Sequence, residues 1–186
     1  MDALIPAFIA VLLAETGERG QSQAHQLGLT FSDRRPIYAA LMIVTLFTLS
    51  IGGIGGTYIA HLISYDARTL FAGVALLLAG LPSLFKNKPA KPVAQARPFM
   101  TSLIRFLPAQ IAGASPFIIA GLSARSDMAG LAIAGGFAGV MVAAVPPLLL
   151  KAEWPGGLPL ILLRRIAALL LIGSGLWLAV NALHLI

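Results

Sequence analysis

Residues 12–21 read Leu12-Leu13-Ala14-Glu15-Thr16-Gly17-Glu18-Arg19-Gly20-Gln21, an apolar run that passes directly into two acids. The uncharged stretch from Ala3 to Ala14 is too short to cross a hydrocarbon core alone, since a spanning helix needs roughly 20 residues. Two readings of this junction compete. Either Glu15 and Glu18 sit in a solvated turn after a short apolar segment, or the segment continues through them and the acids lie inside a membrane. A carboxylate in the hydrocarbon region costs a few kcal/mol, so acids placed there mark function by default.

The rest of the chain favours the second reading. Of its 186 residues 58% are hydrophobic and 11% are charged, so most of its surface is suited to lipid. Six apolar runs start near Ala3, Ile37, Thr69, Thr101, Met128 and Ile166, and the expected fold is all-α, a polytopic membrane protein of six transmembrane helices. The net charge of +6 is spread over short clusters between these runs and forms no patch of the kind nucleic acid requires, so no nucleic-acid partner is expected. Cysteine is absent, which excludes thiolate metal sites and cysteine nucleophiles. The first apolar run leads into acids instead of a small-residue cleavage site, so no cleaved signal peptide is expected.

Basic residues orient the chain. The odd-numbered loops hold Arg34, Arg35, Lys86, Lys88, Lys91, Arg97, Lys151, Arg164 and Arg165, whereas the even-numbered loops hold Arg68 and Arg125. The positive-inside rule then predicts an integral multi-pass protein of a bacterial inner membrane, with both termini outside the cytoplasm. The organisation expected is a three-helix unit over 1–85, a proline- and lysine-rich cytoplasmic linker over 86–100 and a second three-helix unit over 101–186.

The two units share sequence. Leu76-Leu77-Leu78-Ala79-Gly80-Leu81 parallels Leu169-Leu170-Leu171-Ile172-Gly173-Ser174, and Gly52, Gly53 and Gly56 parallel Gly135, Gly136 and Gly139 at a constant offset. Leu12-Leu13-Ala14-Glu15 parallels Leu107-Pro108-Ala109-Gln110. With three spans per unit the repeats are inverted, an architecture that places transporter sites near the midplane between repeats. The glycine rows read as helix packing and are given no ligand role.

At helical spacing Glu15, Glu18, Ser22 and His25 form one polar stripe. Facing a bundle interior, two carboxylates with hydroxyl, amide and carbonyl oxygens suit a hard cation. Gly17 and Gly20 favour a local break in the first helix, and Pro108 and Pro116 disturb the matching helix around Gln110 to Ser115. The candidate metal ligands are Glu15, Glu18, Gln21, Gln110 and Ser115. His25 lies on the stripe but is more simply solvated, as are His61 and His184 near helix ends. Arg105 is expected to snorkel to the cytoplasmic surface.

Glu15-Thr16-Gly17-Glu18-Arg19-Gly20 resembles the Glu-x-Gly-Asp-(Lys/Arg)-(Ser/Thr) motif of the Gdt family, relatives of transmembrane protein 165, with Glu18 in the Asp position and Gly20 in the Ser/Thr position. The resemblance implies two inverted three-helix repeats and exchange of calcium or manganese for protons. The second motif has decayed: Gln110 replaces the Glu, Gly113 the Asp and Ala114 the basic residue, with Ser115 kept. Ala152-Glu153-Trp154 only imitates a motif opening, because Pro155-Gly156-Gly157 follows it.

The expected function is transport of a divalent cation by exchange with protons, with no resident cofactor, the lipid bilayer as surroundings and self-association left open. The alternative is a non-transporting membrane subunit or scaffold that has lost half of the ion site. An enzyme is not expected, because the acids have no partnered nucleophile and no His-Glu-x-x-His pattern occurs.

Overall fold

The computed structural model describes residues 3–85, 97–150 and 158–183. All its regular elements there are helices: α1 Leu4–Glu15, α2 Arg19–Thr30, α3 Arg35–Ala60, α4 Tyr65–Ser83, α5 Pro98–Ile111, α6 Ser115–Ser126, α7 Ala129–Leu150 and α8 Leu158–Ala182. Asp2, residues 86–96 of the expected 86–100 linker, Lys151, Glu153 and His184 lie outside the described residues, and Pro98 to Met100 of that linker open α5.

By length and hydropathy α3, α7 and α8 can each cross a membrane, and α5 with α6, bent by 52° at their break, can form a fourth span. The remaining helices do not qualify singly: α1 is apolar but has 12 residues, and α4 opens with Asp66 and Arg68, which lower its mean hydropathy. Where the sequence suggested a stripe along one helix, the chain breaks after Glu15 and restarts at Arg19. The fourth expected helix is likewise two, because Pro116 has no N–H to continue α5 and its fixed φ suits the first turn of a new helix.

The four elements of each half begin at matching intervals. Leu4 and Pro98, Arg19 and Ser115, Arg35 and Ala129, and Tyr65 and Leu158 are separated by 93 to 96 residues. The leucine run of α4 and that of α8 fall on this interval. The glycine rows do not: Gly52 and Gly56 lie in the second half of α3, and Gly135 and Gly139 in the first half of α7, so they are not counterparts. Each row instead sits where two backbones cross. A Cβ on Gly52 or Gly56 would run into the carbonyls of Pro116 and Ala120 in α6, and one on Gly135 or Gly139 into those of Leu4 and Phe8 in α1.

Those contacts also give helix directions. As residue numbers rise along α3 they rise along α6, and α7 follows α1 in the same way, so both pairs are parallel. Gly73 meets Gly175 and Ala179 while Gly80 meets Ala168 and Ile172, so α4 and α8 are antiparallel. The partnerships cross between halves: α7 lies along α1 and α2, α3 along α5 and α6, and α4 along α8.

Val11, Leu27, Leu41, Leu49, Ile119, Val140 and Leu148 fill the shared core. The outer surface is apolar as well, with Phe47, Ile51, Ile54, Leu162, Leu169 and Trp177 more than half exposed. Helices apolar on both faces suit a lipid surround.

One expectation is overturned. Arg164 and Arg165 do not lie in a loop before the last span, because α8 begins at Leu158 and carries both. Arginine is a good helix former, and the Arg164 charge is met inside the bundle, so the helix has no reason to start later.

Candidate functional site

The first break is built by Gly17. Thr16 leaves α1 with ψ 116°, Gly17 takes φ +74°, and Glu18 enters α2 from an extended conformation. Only glycine adopts that left-handed φ without steric cost. Gln21 then fastens the break: its Oε1 accepts from the Gly17 N–H at 2.8 Å, and its Nε2 donates to the Ala143 carbonyl at 2.8 Å. That carbonyl belongs to α7 four residues before Pro147, whose missing N–H leaves it without its helical donor. A proline in one half thus creates the acceptor that holds the break of the other.

The break sets two carboxylates at different depths. Glu15 ends α1 and is 7% exposed, and its Oε1 accepts from the Ser115 hydroxyl at 2.5 Å. Its other oxygen lies where a Cβ on Gly20 would be 2.9 Å away. Glu18 is half-buried; its Oε1 accepts from the Ser83 hydroxyl at 2.8 Å and from Arg164 Nη2 at 3.2 Å. Arg164 Nη2 also lies 3.4 Å from the carbonyl of Pro82, among the last acceptors of α4. Both acids line a cavity of about 310 Å³ together with Arg19, Ser83, Gly113 and Phe117.

Of the five residues singled out from sequence, Glu15 and Ser115 touch across the two breaks, and Glu15 and Glu18, but not Ser115, line the cavity. Gln21 is buried, with both ends of its amide engaged by backbone. Gln110 is 3% exposed at the end of α5, and its Oε1 has no partner among the described residues. Neither glutamine is among the cavity residues. No group of three or more His, Cys, Asp or Glu occurs among the described residues, and His25 and His61 stand away from the cavity lining.

Sequence reasoning missed Ser83 and Arg164. Nothing distinguishes Ser83 in the sequence. Arg164 carried a signal, because Leu160 to Leu163 is as apolar as the run after Arg165, and an arginine flanked by apolar residues on both sides belongs inside a helix.

Gly17→Ala should be costly twice over. The left-handed φ alone costs a non-glycine residue about 1–3 kcal/mol, and the new methyl would stand 2.8 Å from Arg164 Cδ. The variant is expected to melt several degrees below wild type in a detergent thermal-shift measurement. Gly55→Ala, which meets nothing within 4 Å, is expected to melt no lower than wild type.

Apolar helices around a polar centre, two of them broken where the carboxylates and hydroxyls meet, define an integral membrane protein. Residues 3–91 match the GDT1 family model, described as divalent cation/proton antiporter GDT1. Over this segment, residues 3–91, the chain is thus similar to the Gdt1/transmembrane protein 165 family. No curated protein and no solved structure matches the chain significantly.

Proposed function

We propose that this chain exchanges a divalent cation, manganese or calcium, for protons, with Glu15 and Glu18 as the groups that bind both. The observation carrying the reading is that Glu15, inside a bundle of membrane helices, turns its carboxylate toward Ser115 at the break of the other half. A carboxylate there is retained at a cost of a few kcal/mol, which structure alone gives no reason to bear. Protonation weakens a carboxylate's hold on a metal ion, so a site made of Glu15 and Glu18 couples the two substrates directly. Lower pH then favours release of the cation and higher pH its binding.

Helix directions support six crossings in two inverted repeats. If the broken pairs α1–α2 and α5–α6 each count as one crossing, strict alternation makes α1 parallel to α7, α3 parallel to α6, and α4 antiparallel to α8, as observed. Removing Arg164 and Arg165 from the expected set leaves Arg34, Arg35 and Arg97 on one side against Arg68 and Arg125 on the other, with Lys86, Lys88, Lys91 and Lys151 of the sequence adding to the first. That balance still favours a cytoplasmic location for the basic side, and both termini opposite.

In proteoliposomes loaded with a pH-sensitive dye, an imposed manganese or calcium gradient is expected to drive proton movement in the opposite direction. A sodium gradient of the same size is expected to drive little. Absence of proton flux with both divalent ions, in protein that is inserted and monodisperse, would exclude the antiporter reading and leave the non-transporting subunit.

A further inference from the structure

Arg164 is a second cation source for the carboxylate pair, already inside the protein. Its side chain is 10% exposed, and its Nη2 contacts Glu18 Oε1 at 3.2 Å. Its aliphatic stem lies on Gly17, where an added Cβ would stand 2.8 Å from Cδ and 3.0 Å from Cβ of the arginine. Its Nε is buried with no partner among the described residues, so the guanidinium is not fully satisfied in this position. Guanidinium is weakly hydrated and permanently charged, so it cannot leave Glu18 by losing a proton.

The charge count gives this contact its meaning. Glu15 and Glu18 together carry two negative charges when ionised, and Arg164 cancels one of them. Arg19, exposed at the cavity wall, adds a positive charge in either case; a divalent ion approaching the cavity therefore meets one more negative charge once Arg164 swings away than while it stays on Glu18. Glu18 also keeps Ser83 as a donor, so it is not left bare when the arginine departs. Departure costs Arg164 little hydrogen bonding on the α4 side, where its 3.4 Å contact with the Pro82 carbonyl is long.

We propose that Arg164 is an internal counter-cation that competes with the transported ion for Glu18 and sets the charge preference of the site. With the arginine in place the pair favours a proton or a single charge; with it displaced the pair accepts a divalent ion. The inference rests on reading Glu15 and Glu18 as the ion site, and it makes Arg164 a specificity-determining residue of that site.

The test is cation-dependent thermal stabilisation of the purified full chain at pH 8, titrated with manganese, calcium and sodium. Arg164→Gln is expected to shift the manganese and calcium midpoints at least about tenfold lower, with a smaller change for sodium, so the divalent-to-monovalent ratio rises. A purely structural role for Arg164 predicts weaker binding or none. Arg164→Met, which keeps the stem over Gly17 and suits an apolar helix, decides the matter by the same readout if the glutamine variant does not fold.

Wild type and variant binding divalent ions equally, or the variant binding them more weakly, overturns the competitor role while leaving the antiporter reading intact. A wild type that binds no ion beside a variant that binds divalent ions supports the competitor role and removes the antiporter reading. If neither binds, both fall.

Discussion

Glu15→Gln is expected to reduce cation-driven proton exchange in proteoliposomes to background, a loss of at least about 100-fold, beyond the 10–100-fold typical of removing an outer-shell partner. Glutamine has the size of glutamate and can still accept from the Ser115 hydroxyl, so the bundle should assemble normally. On the proposed reading, what disappears is the charge that holds a cation and the group that takes up a proton. Gln110→Glu makes the opposite change at the end of α5, where the amide oxygen is buried without a partner among the described residues. Restoring an acid there is expected to strengthen divalent binding. Retention of full manganese and calcium exchange by Glu15→Gln would show that the site lies elsewhere.

Gly135→Val should damage the molecule far more than its size suggests. A Cβ at position 135 would collide with the backbone carbonyl of Leu4, and the next atoms in its way, Leu4 C and Phe8 N, are also backbone. No side-chain rotation relieves such a contact, so α1 must move away from α7, carrying Glu15 with it. Overpacking commonly costs 1–3 kcal/mol and sometimes more; this variant belongs at or above the top of that range. It is expected to elute largely aggregated or to melt far below wild type. Gly130→Val, at a position with nothing within 4 Å, provides the comparison. A wild-type melting temperature for Gly135→Val would mean that α1 and α7 are not in contact.

Much of this architecture was legible in the residues because membrane helices announce themselves by composition. The apolar runs placed α3, α7 and the body of α8, and Gly17 and Pro116 announced the breaks through backbone chemistry that acts locally, whereas Pro108 lies inside α5, which runs on to Ile111. Glu15 stood out because a carboxylate beside an apolar run is expensive. Long-range partnership was another matter. The stripe logic assumed one continuous helix from Glu15 to His25, and the turn at Gly17 removes that premise. The glycine rows matched as letters, yet what selects a glycine is the backbone that crosses it, and different helices cross the two rows. Gln21 stood out as an oxygen ligand; in the structure its Oε1 accepts from the Gly17 N–H and its Nε2 donates to the carbonyl freed by Pro147 of α7, more than 120 residues away. Arg164 was read by its charge as loop, when its partners Glu18 and Pro82 come from two other segments.

The exchange of partners between halves has an architectural consequence. An assembly of two separate, identical half-length chains would present every side chain twice, so whatever faced Glu15 would have to be a residue that both copies carry at that place. Joining the halves in one polypeptide lifts that symmetry requirement. Position 15 holds a carboxylate where its counterpart 110 holds an amide, and position 115 holds a hydroxyl where its counterpart 20 has no side chain. The hydroxyl of one half can then serve the acid of the other without a reciprocal pair. Arg164 likewise has Phe71 of α4 as its counterpart at the 93-residue interval that relates the starts of α4 and α8. The covalent tandem thus lets two similarly ordered halves carry a one-sided polar centre, a division of labour that no homodimer of either half could reproduce.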